Sequence, residues 1–458
     1  MINRHISILL ILLSGQLWAQ KSLPDEEVIR DLYTYALTHN QAYHWLEELT
    51  SIGGRLAGSP QADSAVAHFR EIADSLGFET TLMPVKVPRW VRGAPEEASF
   101  IIGEKEYPLR SCALGGSVAT PENGLRAGVV EVNSFAALDS LSDELEGKIA
   151  FFNIPMDPAY INSFFAYGSA VKQRWVGAVE ASKKGAIGVV IRSLSNTINP
   201  YPHTGSMTYE GAEEKIPAMA ISTLDAEALS EALGVEPDLE FFMKMHCQWH
   251  DSVQSHNLIA ELPGRERTDE IILVGGHIDS WDLGTGAHDD GAGCMHALES
   301  AWLLKKLNIL PGRTLRVVFF MNEEFGLNGA KEYARVSRNE NWNHVIAIES
   351  DGGGFAPRGI SMDAPDSIVN RIKEFRNMLE PYGIHQFSQA GSGADISQLK
   401  NDQTVLIGLR PENHRYFEYH HSSQDNLAAV NQRELAMGSA TLAAVIYLLD
   451  KYNITAQP

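Results

Sequence analysis

Three apolar segments in the second half of the chain constrain the fold most, because each runs directly into acidic or histidine side chains. They cover residues 271–274, 315–321 and 345–348, and they lead into His277, Glu323 and Asp351. From residue 257 onward such strands alternate with helical patterns, which is typical of a sheet covered by helices on both faces. We therefore predict an α/β fold with a mixed, mostly parallel sheet flanked by helices.

In open α/β sheets, ligands bind beyond the carboxyl ends of the strands, because the loops converge there. His277 with Asp279, the pair Glu323–Glu324, and Asp351 all lie just past such strand ends. Residue type and position in the predicted fold therefore point independently to one site at this edge.

Two further settings complete the set of potential metal ligands. Asp289 and Asp290 stand before Gly-Ala-Gly, and His421 begins the segment His-Ser-Ser-Gln-Asp. Imidazole and carboxylate groups are the ligands of hydrolytic zinc sites. Five ligand positions and one spare acid can hold two metals and leave a general base, so the pattern predicts a metallohydrolase.

Taken singly, most of these settings have a plainer interpretation. Asp279 could orient the imidazole of His277, or the two could form a polar strand end. Asp289–Asp290 could be a turn before a helix, and His420–His421 a surface loop. Glu323–Glu324 is a stronger signal, because two carboxylates after a buried strand repel each other unless a positive charge lies between them. Together the five settings favour the metal site.

The first half of the chain begins with helical patterns and continues with a β-rich segment. One helix is predicted to end near Gly53, and a second covers Pro60 to Leu76. The β-rich segment has its own turns and holds none of the five ligands, so we interpret it as an inserted module. The predicted organisation is a signal peptide (1–19), the N-terminal part of the catalytic domain (20–119), the module (120–250) and the main catalytic domain (251–458).

Charge and targeting signals bear on location and partners. The chain has 37 Lys and Arg against 58 Asp and Glu, and its net charge of −21 argues against nucleic acid or anionic membranes as partners. Residues 1–19 have a weakly positive start, a short apolar run and a small-residue exit, as signal peptides do. No segment is long and apolar enough to suggest a membrane span. We expect an exported protein, periplasmic or extracellular.

The three cysteines, Cys112, Cys247 and Cys294, are too few for a disulfide framework. One pair and one free thiol would be compatible with an oxidising compartment. Cys294 falls in a helical pattern and is predicted to be a small core residue.

The motif order resembles the co-catalytic dizinc aminopeptidase family, which includes bacterial leucyl aminopeptidases and the glutamate carboxypeptidases. The shared order is His-x-Asp, Asp-Asp-x-x-Gly, Glu-Glu-x-Gly, Asp and His-x-x-x-Asp. The resemblance is strongest to the plasma glutamate carboxypeptidase branch, and the module resembles a protease-associated domain. The segments that carry the branch resemblance are 88–93, 202–205, 277–282, 391–396 and 408–412.

The resemblance implies a zinc-aminopeptidase/phosphorylase-like fold and two zinc ions per chain. One zinc would be held by His277 and Asp351 and the other by Glu324 and His421. Asp289 would bridge the two ions, and the peptide bond that follows it would be cis.

The same resemblance implies the catalytic groups and the substrates. Glu323 would be the general base, and His420 would donate to the oxyanion where membrane-type relatives have a Tyr. Relatives of this kind cleave dipeptides or unblocked N-terminal residues, and the plasma type implies a homodimer. Asp282, Asp395 and Glu412 could hold a substrate ammonium group or could be structural acids.

Two other functions remain open on the same scaffold. A glutaminyl cyclase would use one zinc, and a binding protein such as the transferrin receptor would be expected to have lost ligands or the base. The complete set of ligands, with Glu323 present, favours hydrolysis.

Overall fold

A computed structural model describes residues 24–456, except for the side chains at positions 142 and 143. The signal peptide predicted over residues 1–19 lies outside the described residues. Across the described part of the chain, no helix has the length and apolar character needed to cross a membrane.

The described chain begins with helices, continues through a β-rich segment and ends in a part where strands and helices are interspersed. The strands are β1 (Glu79–Val91), β2 (Glu97–Ile102), β3 (Lys105–Pro108), β4 (Ser111–Ala113), β5 (Leu125–Val132), β6 (Ile149–Phe152), β7 (Gly188–Arg192), β8 (Ala218–Ile221), β9 (Glu240–Lys244), β10 (Gln248–Leu262), β11 (Arg267–His277), β12 (Arg313–Phe320), β13 (Asn343–Glu349), β14 (Pro357–Asp363), β15 (Gln386–Gln389) and β16 (Val405–Pro411). The α-helices are α1 (Asp25–His39), α2 (Gln41–Ser51), α3 (Pro60–Ser75), α4 (Phe135–Leu138), α5 (Ser142–Leu145), α6 (Ser163–Ala170), α7 (Lys172–Ser182), α8 (Thr223–Val235), α9 (Ala292–Lys306), α10 (Asn328–Asn339), α11 (Asp366–Lys373), α12 (Arg376–Leu379), α13 (Tyr416–Tyr419) and α14 (Gln432–Lys451).

The first sheet has eight strands in the order β1-β10-β12-β11-β13-β16-β14-β15. Its central strands β12, β11, β13 and β16 are parallel to one another, and β14 and β15 form a further parallel pair. The other pairs are antiparallel. The prediction of a mixed, mostly parallel α/β sheet is therefore confirmed.

Helices cover both faces of this sheet. Ile272 and Val274 of β11 pack into a core shared with α1, α2, α3, α9 and α14. Leu273, between them, packs on the opposite face with Tyr333 of α10. Successive strand residues point to opposite faces, so a continuous apolar run is what burial on both faces requires.

The second sheet also has eight strands, in the order β3-β2-β9-β5-β6-β7-β8-β4. It is inserted between β1 and β10, which pair with each other in the first sheet. Strands β5 to β9 fall within the module predicted over 120–250, whereas β2, β3 and β4 come from residues 97–113. The module's likeness to a protease-associated domain stays a prediction.

The N-terminal helical region differs from its prediction at one point. A single helix was expected up to Gly53, but α1 and α2 are separated by Asn40, whose φ is 48°. A left-handed residue ends a helix, and Asn tolerates this conformation better than most residues. Helix α3 agrees with the prediction, with Ser59 capping its N-terminus and Gly77 following at φ 76°.

All three cysteines are free and buried. Cys294 lies in α9 and contributes to the main core, as predicted.

Candidate metal centre

The parallel register brings three predicted site segments to one edge of the first sheet. His277, the last residue of β11, is opposite Phe320, the last residue of β12. On the other side, Gly275 is opposite Glu349, which ends β13. Glu323 and Asp351 therefore follow strands that end beside His277, as the sequence predicts.

Asp289 lies at the centre of the site and faces two histidines. Its Oδ1 is 3.4 Å from Nε2 of His277, and its Oδ2 is 3.2 Å from Nε2 of His421. The Asp289–Asp290 peptide bond is cis, as the resemblance implies. Asp425 holds this segment by accepting hydrogen bonds from the main-chain N–H groups of His288 (2.6 Å) and Asp289 (3.1 Å).

One further carboxylate accompanies each histidine. Oδ1 of Asp351 is 3.8 Å from Nε2 of His277, and Oε2 of Glu324 is 3.1 Å from Nε2 of His421. Among the described residues, three overlapping groups have ligand atoms within 4.8 Å of one another: His277–Asp289–Glu324, Asp289–His420–His421 and His277–Asp290–Asp351. The structure thus brings all five predicted ligands into one cluster, with Asp289 shared.

The cluster is strongly acidic. The pKa of Asp351 is raised to about 6, chiefly by burial, with Asp289 and Glu324 adding to the rise and His277 opposing it. Burial alone would lower the pKa of His421, but the carboxylates of Glu324 and Asp289 outweigh it and raise that pKa to about 9. Burial would also lower the pKa of His277, but the carboxylates of Asp289 and Asp351 outweigh it and hold that pKa well above its ordinary value. The surrounding carboxylates therefore favour positive charge here.

The donor set fits divalent cations. Oε2 of Glu324 accepts a hydrogen bond from Nε1 of Trp281 (2.6 Å), but its buried Oε1 has no hydrogen-bond partner. A buried carboxylate oxygen without a partner is costly unless a cation satisfies it. With all four carboxyl groups ionised, Asp289, Asp351, Glu323 and Glu324 would carry a formal charge of −4, which two divalent ions would neutralise.

Asp279 supports the site differently from the prediction that its carboxylate orients His277. Nδ1 of His277 is 3.0 Å from the main-chain oxygen of Asp279 but 3.8 Å from its carboxylate. That carboxylate instead accepts from the main-chain N–H groups of Asn322 (2.7 Å) and Glu323 (3.1 Å). The Asp279 carboxylate therefore fixes the turn that carries Glu323, because the two main-chain N–H groups of that turn lie closer to it than the imidazole does.

Glu323 and His420 line the same cavity, which has a volume of about 380 Å³. Burial raises the pKa of Glu323 well above its ordinary value, and Asp351 and Glu324 reinforce the effect. The His420 ring stacks on that of His421 with centroids 3.5 Å apart, and its Nε2 is 3.8 Å from Oδ2 of Asp289. Burial and the charge of His421 hold the pKa of His420 well below its ordinary value, so its imidazole is neutral.

Several residues of the site were not anticipated as functional. Asp290 accepts from the main-chain N–H groups of His277 (3.1 Å) and Gly293 (3.0 Å), so it ties strand β11 to helix α9. Arg174 and Thr204 reach His421 from the inserted module, with contacts of 3.4 and 3.3 Å to its Nδ1. Strand ends and motif spacing in the sequence give no signal for such contacts, because the contacts depend on how the module packs against the catalytic domain.

The three acids considered for a substrate ammonium group differ in their surroundings. Asp282 is paired with Arg92 at 2.6 Å, and Glu412 with Arg358 at 2.5 Å. Asp395 is buried and neither of its carboxylate oxygens has a hydrogen-bond partner. Asp282 and Glu412 are thus each already paired with an arginine, whereas Asp395 is not.

A larger cavity of about 630 Å³ is lined by Trp90, Arg92 and Asp282, among others, and its lining includes none of the five predicted ligands. The smaller cavity holds the acidic cluster, and chemistry therefore assigns the site to it. Aromatic side chains of the inserted module, Phe164, Tyr167 and Trp175, form one of its walls.

Known proteins share this architecture and its sequence. Residues 257–446 match the profile of Peptidase family M28. Carboxypeptidase Q from Bos taurus is 33% identical over 423 residues, which cover 92% of this chain and 88% of that protein. The crystal structure of a peptidase M28 precursor from Shewanella amazonensis SB2B is 35% identical, has a TM-score of 0.87, and is matched over 93% of this chain and 96% of the other.

A more distant structure agrees in fold. The aminopeptidase from Aneurinibacillus sp. strain AM-1 is 20% identical with a TM-score of 0.62, and the match covers 95% of this chain and 98% of the other.

Fold, site and relatives together define the class of the protein as a peptidase. More particularly, the chain belongs to peptidase family M28. The sequence resemblance to dizinc aminopeptidases of the carboxypeptidase Q type is thereby confirmed at the level of the family.

Proposed function

We propose that this protein is a metallo-exopeptidase that holds two zinc ions and hydrolyses dipeptides or unblocked N-terminal residues. The observation that carries the proposal is the position of Asp289, whose two carboxylate oxygens face His277 and His421 separately. Asp351 lies beside His277 and Glu324 beside His421, which supports the proposal that the Asp289 carboxylate would be shared between two ions.

Zinc ions held by these five residues would polarise the scissile carbonyl and lower the pKa of a bound water. Glu323 takes a proton from the attacking water and later passes it to the leaving amine. Its place in the cavity beside Asp289, Asp351 and Glu324 supports both steps, because a general base must lie within reach of the proton that it takes. Asp279 positions Glu323 by accepting the hydrogen bond of its main-chain N–H.

His420 supports the proposal as a donor to the developing oxyanion. Its imidazole is neutral, and Nδ1 is buried without a hydrogen-bond partner. A neutral imidazole keeps one N–H to donate, and such a donor stabilises charge most effectively in a site that excludes water.

We further propose that the protein is exported to the periplasm or beyond, that it dimerises, and that the module is a protease-associated domain. These proposals rest on the signal-peptide pattern of residues 1–19 and on the resemblance to plasma-type carboxypeptidases. The segment that resembles a protease-associated domain is the module over residues 120–250.

The test compares the purified wild-type protein with Glu323→Gln, measuring bound metal and hydrolysis of a panel of unblocked dipeptides. We expect the substitution to lower kcat by about 10²–10⁴-fold while zinc content stays the same, because it removes the proton acceptor but none of the ligands. Turnover that survives the substitution would contradict the role of Glu323.

The alternatives predict other results in the same assay. One zinc and cyclisation of N-terminal glutamine, without dipeptide hydrolysis, would indicate a glutaminyl cyclase. Peptide binding with neither reaction would indicate a binding protein on the same scaffold.

A further inference from the structure

The two halves of the metal centre are supported by different parts of the chain. His277 belongs to β11, and its main-chain N–H and Nδ1 contact Asp290 and the oxygen of Asp279. All three residues lie in the first sheet or the loops that follow it. Glu324 and His421, by contrast, are each held by a group that packs against the second sheet.

His421 is docked on the loop between β7 and β8. The main-chain N–H of Thr204 donates to the oxygen of His421 (3.0 Å), and Nδ1 of His421 lies 3.3 Å from the oxygen of Thr204. Nε2 faces Asp289 and Glu324, so a metal ion held there would be bound through Nε2 and would leave Nδ1–H to donate to the oxygen of Thr204. The loop therefore holds this imidazole in its orientation.

Glu324 is held through Trp281, whose Nε1 donates to Oε2 at 2.6 Å. The Trp281 ring lies directly against Gly115, which follows β4. A Cβ atom at position 115 would lie only 1.8 Å from the ring, so this close approach requires glycine. The main-chain N–H of Gly115 in turn donates to the oxygen of Gly205 (2.9 Å), beside Thr204.

Arg92 joins these two supports. Its Nε donates to both carboxylate oxygens of Asp282 (3.0 and 2.9 Å), the residue after Trp281. Its Nη1 donates to the oxygen of Ala113 (2.7 Å), and its Nη2 lies 3.4 Å from Oγ1 of Thr204. A buried planar guanidinium that bonds in several directions at once cannot be replaced by the single charged atom of lysine.

We propose that Arg92 is a positioning residue for one metal position only, the one formed by Glu324 and His421. Docking of the second sheet sets the affinity of that position, whereas the position formed by His277 and Asp351 depends on the first sheet alone. This inference rests on the proposed two-metal function.

The test uses Arg92→Lys in the full-length mature protein, with zinc per chain measured by elemental analysis at a series of buffered free zinc concentrations. We expect one zinc equivalent to dissociate at about 10–100-fold higher free zinc than in the wild type, because lost outer-shell contacts weaken metal sites by about this factor. The other equivalent should be retained to the same concentration as in the wild type.

Two further variants make the result specific. Thr204→Val removes the hydroxyl that donates to Ala113 (2.8 Å) but keeps the main-chain bonds to His421, so it should shift the same equivalent in the same direction. Arg126→Lys is the matched control, because Arg126 pairs with Glu240 on the exposed surface of the second sheet (2.6 Å). Arg126→Lys should release both zinc equivalents at the same free zinc concentrations as the wild type.

The outcomes separate this inference from the proposed function. Suppose that the wild type binds two zinc equivalents. If both equivalents then dissociate at the same changed zinc concentration in Arg92→Lys and in Thr204→Val, or if neither changes, the inference about Arg92 is wrong while the two-metal function stands. Fewer than two equivalents in the wild type would overturn the proposed two-metal function. If Arg92→Lys does not fold, Thr204→Val alone tests whether docking of the second sheet sets the affinity of the metal position formed by Glu324 and His421.

Discussion

At the residue scale, Asp289 distinguishes this site from an ordinary acidic turn. Its two oxygens face different histidines, and each histidine has a second carboxylate beside it. The residue types and their order along the chain were sufficient to predict this cluster. The contacts from Trp281 and Thr204 were not predictable, since they arise from packing between segments far apart in the chain.

His420 provides a prediction at this scale. His420→Phe should lower kcat by about 10²–10³-fold, the usual loss when one oxyanion donor is removed, and leave zinc content unchanged. Phenylalanine keeps a ring that can stack on His421, so the local packing is preserved. Steady-state kinetics on a dipeptide measures the effect, and unchanged turnover would remove His420 from the mechanism.

At the scale of elements, the parallel strands β11, β12 and β13 were predictable because each contains a mostly apolar run that is buried on both faces. Their polar ends had to meet once the strands were parallel neighbours. The break between α1 and α2 was missed, because the apolar periodicity continues across it and only the backbone at Asn40 changes.

Asn40 gives a stability prediction for this break. Asn40→Ala should lower the free energy of unfolding by about 1 kcal/mol, because a Cβ without a compensating polar group disfavours the left-handed conformation at φ 48°. Asn40→Gly is the matched control and should be closer to neutral, since glycine adopts positive φ freely. Urea denaturation measures both. An equal loss of unfolding free energy in the Ala and Gly variants would show that the left-handed backbone at position 40 is not the cause of the loss.

Glu299 in α9 gives a pH-dependent prediction. Burial raises its pKa to about 7, and its Oε1 accepts a hydrogen bond from the main-chain N–H of Ala42 (3.0 Å). In the unfolded chain the pKa is about 4.3. Between these two pKa values Glu299 is deprotonated in the unfolded state but still protonated in the folded state. Its contribution to the free energy of unfolding therefore falls as pH rises and levels off above about pH 7.

Glu299→Gln removes this titration and keeps the shape of the side chain. The free energy of unfolding of the variant, relative to wild type, should rise by about 3 kcal/mol between pH 4 and pH 8. Comparing the two proteins at each pH cancels the other buried groups, and Glu71→Gln on the exposed surface of α3 gives the baseline for the substitution itself. A difference that does not change with pH would contradict a raised pKa at Glu299.

At the scale of the whole molecule, the catalytic sheet and the inserted sheet form one site. The first sheet places the five predicted ligands, and the inserted module adds a wall of the cavity and contacts to His421. The sequence indicated that a module was inserted, because a β-rich segment without ligands interrupts the pattern. It could not indicate that the second sheet begins at Glu97 or that the module reaches the predicted ligand His421, since both depend on tertiary packing.

The central claim is that this arrangement holds two metal ions at once. The most direct measurement is the amount of zinc bound per chain, determined by elemental analysis of the mature protein after equilibration with buffered zinc. We expect two equivalents in the wild type and fewer in Asp289→Ala, because Asp289 would belong to both metal positions. One equivalent or none in the wild type, or an unchanged two in Asp289→Ala, would contradict it.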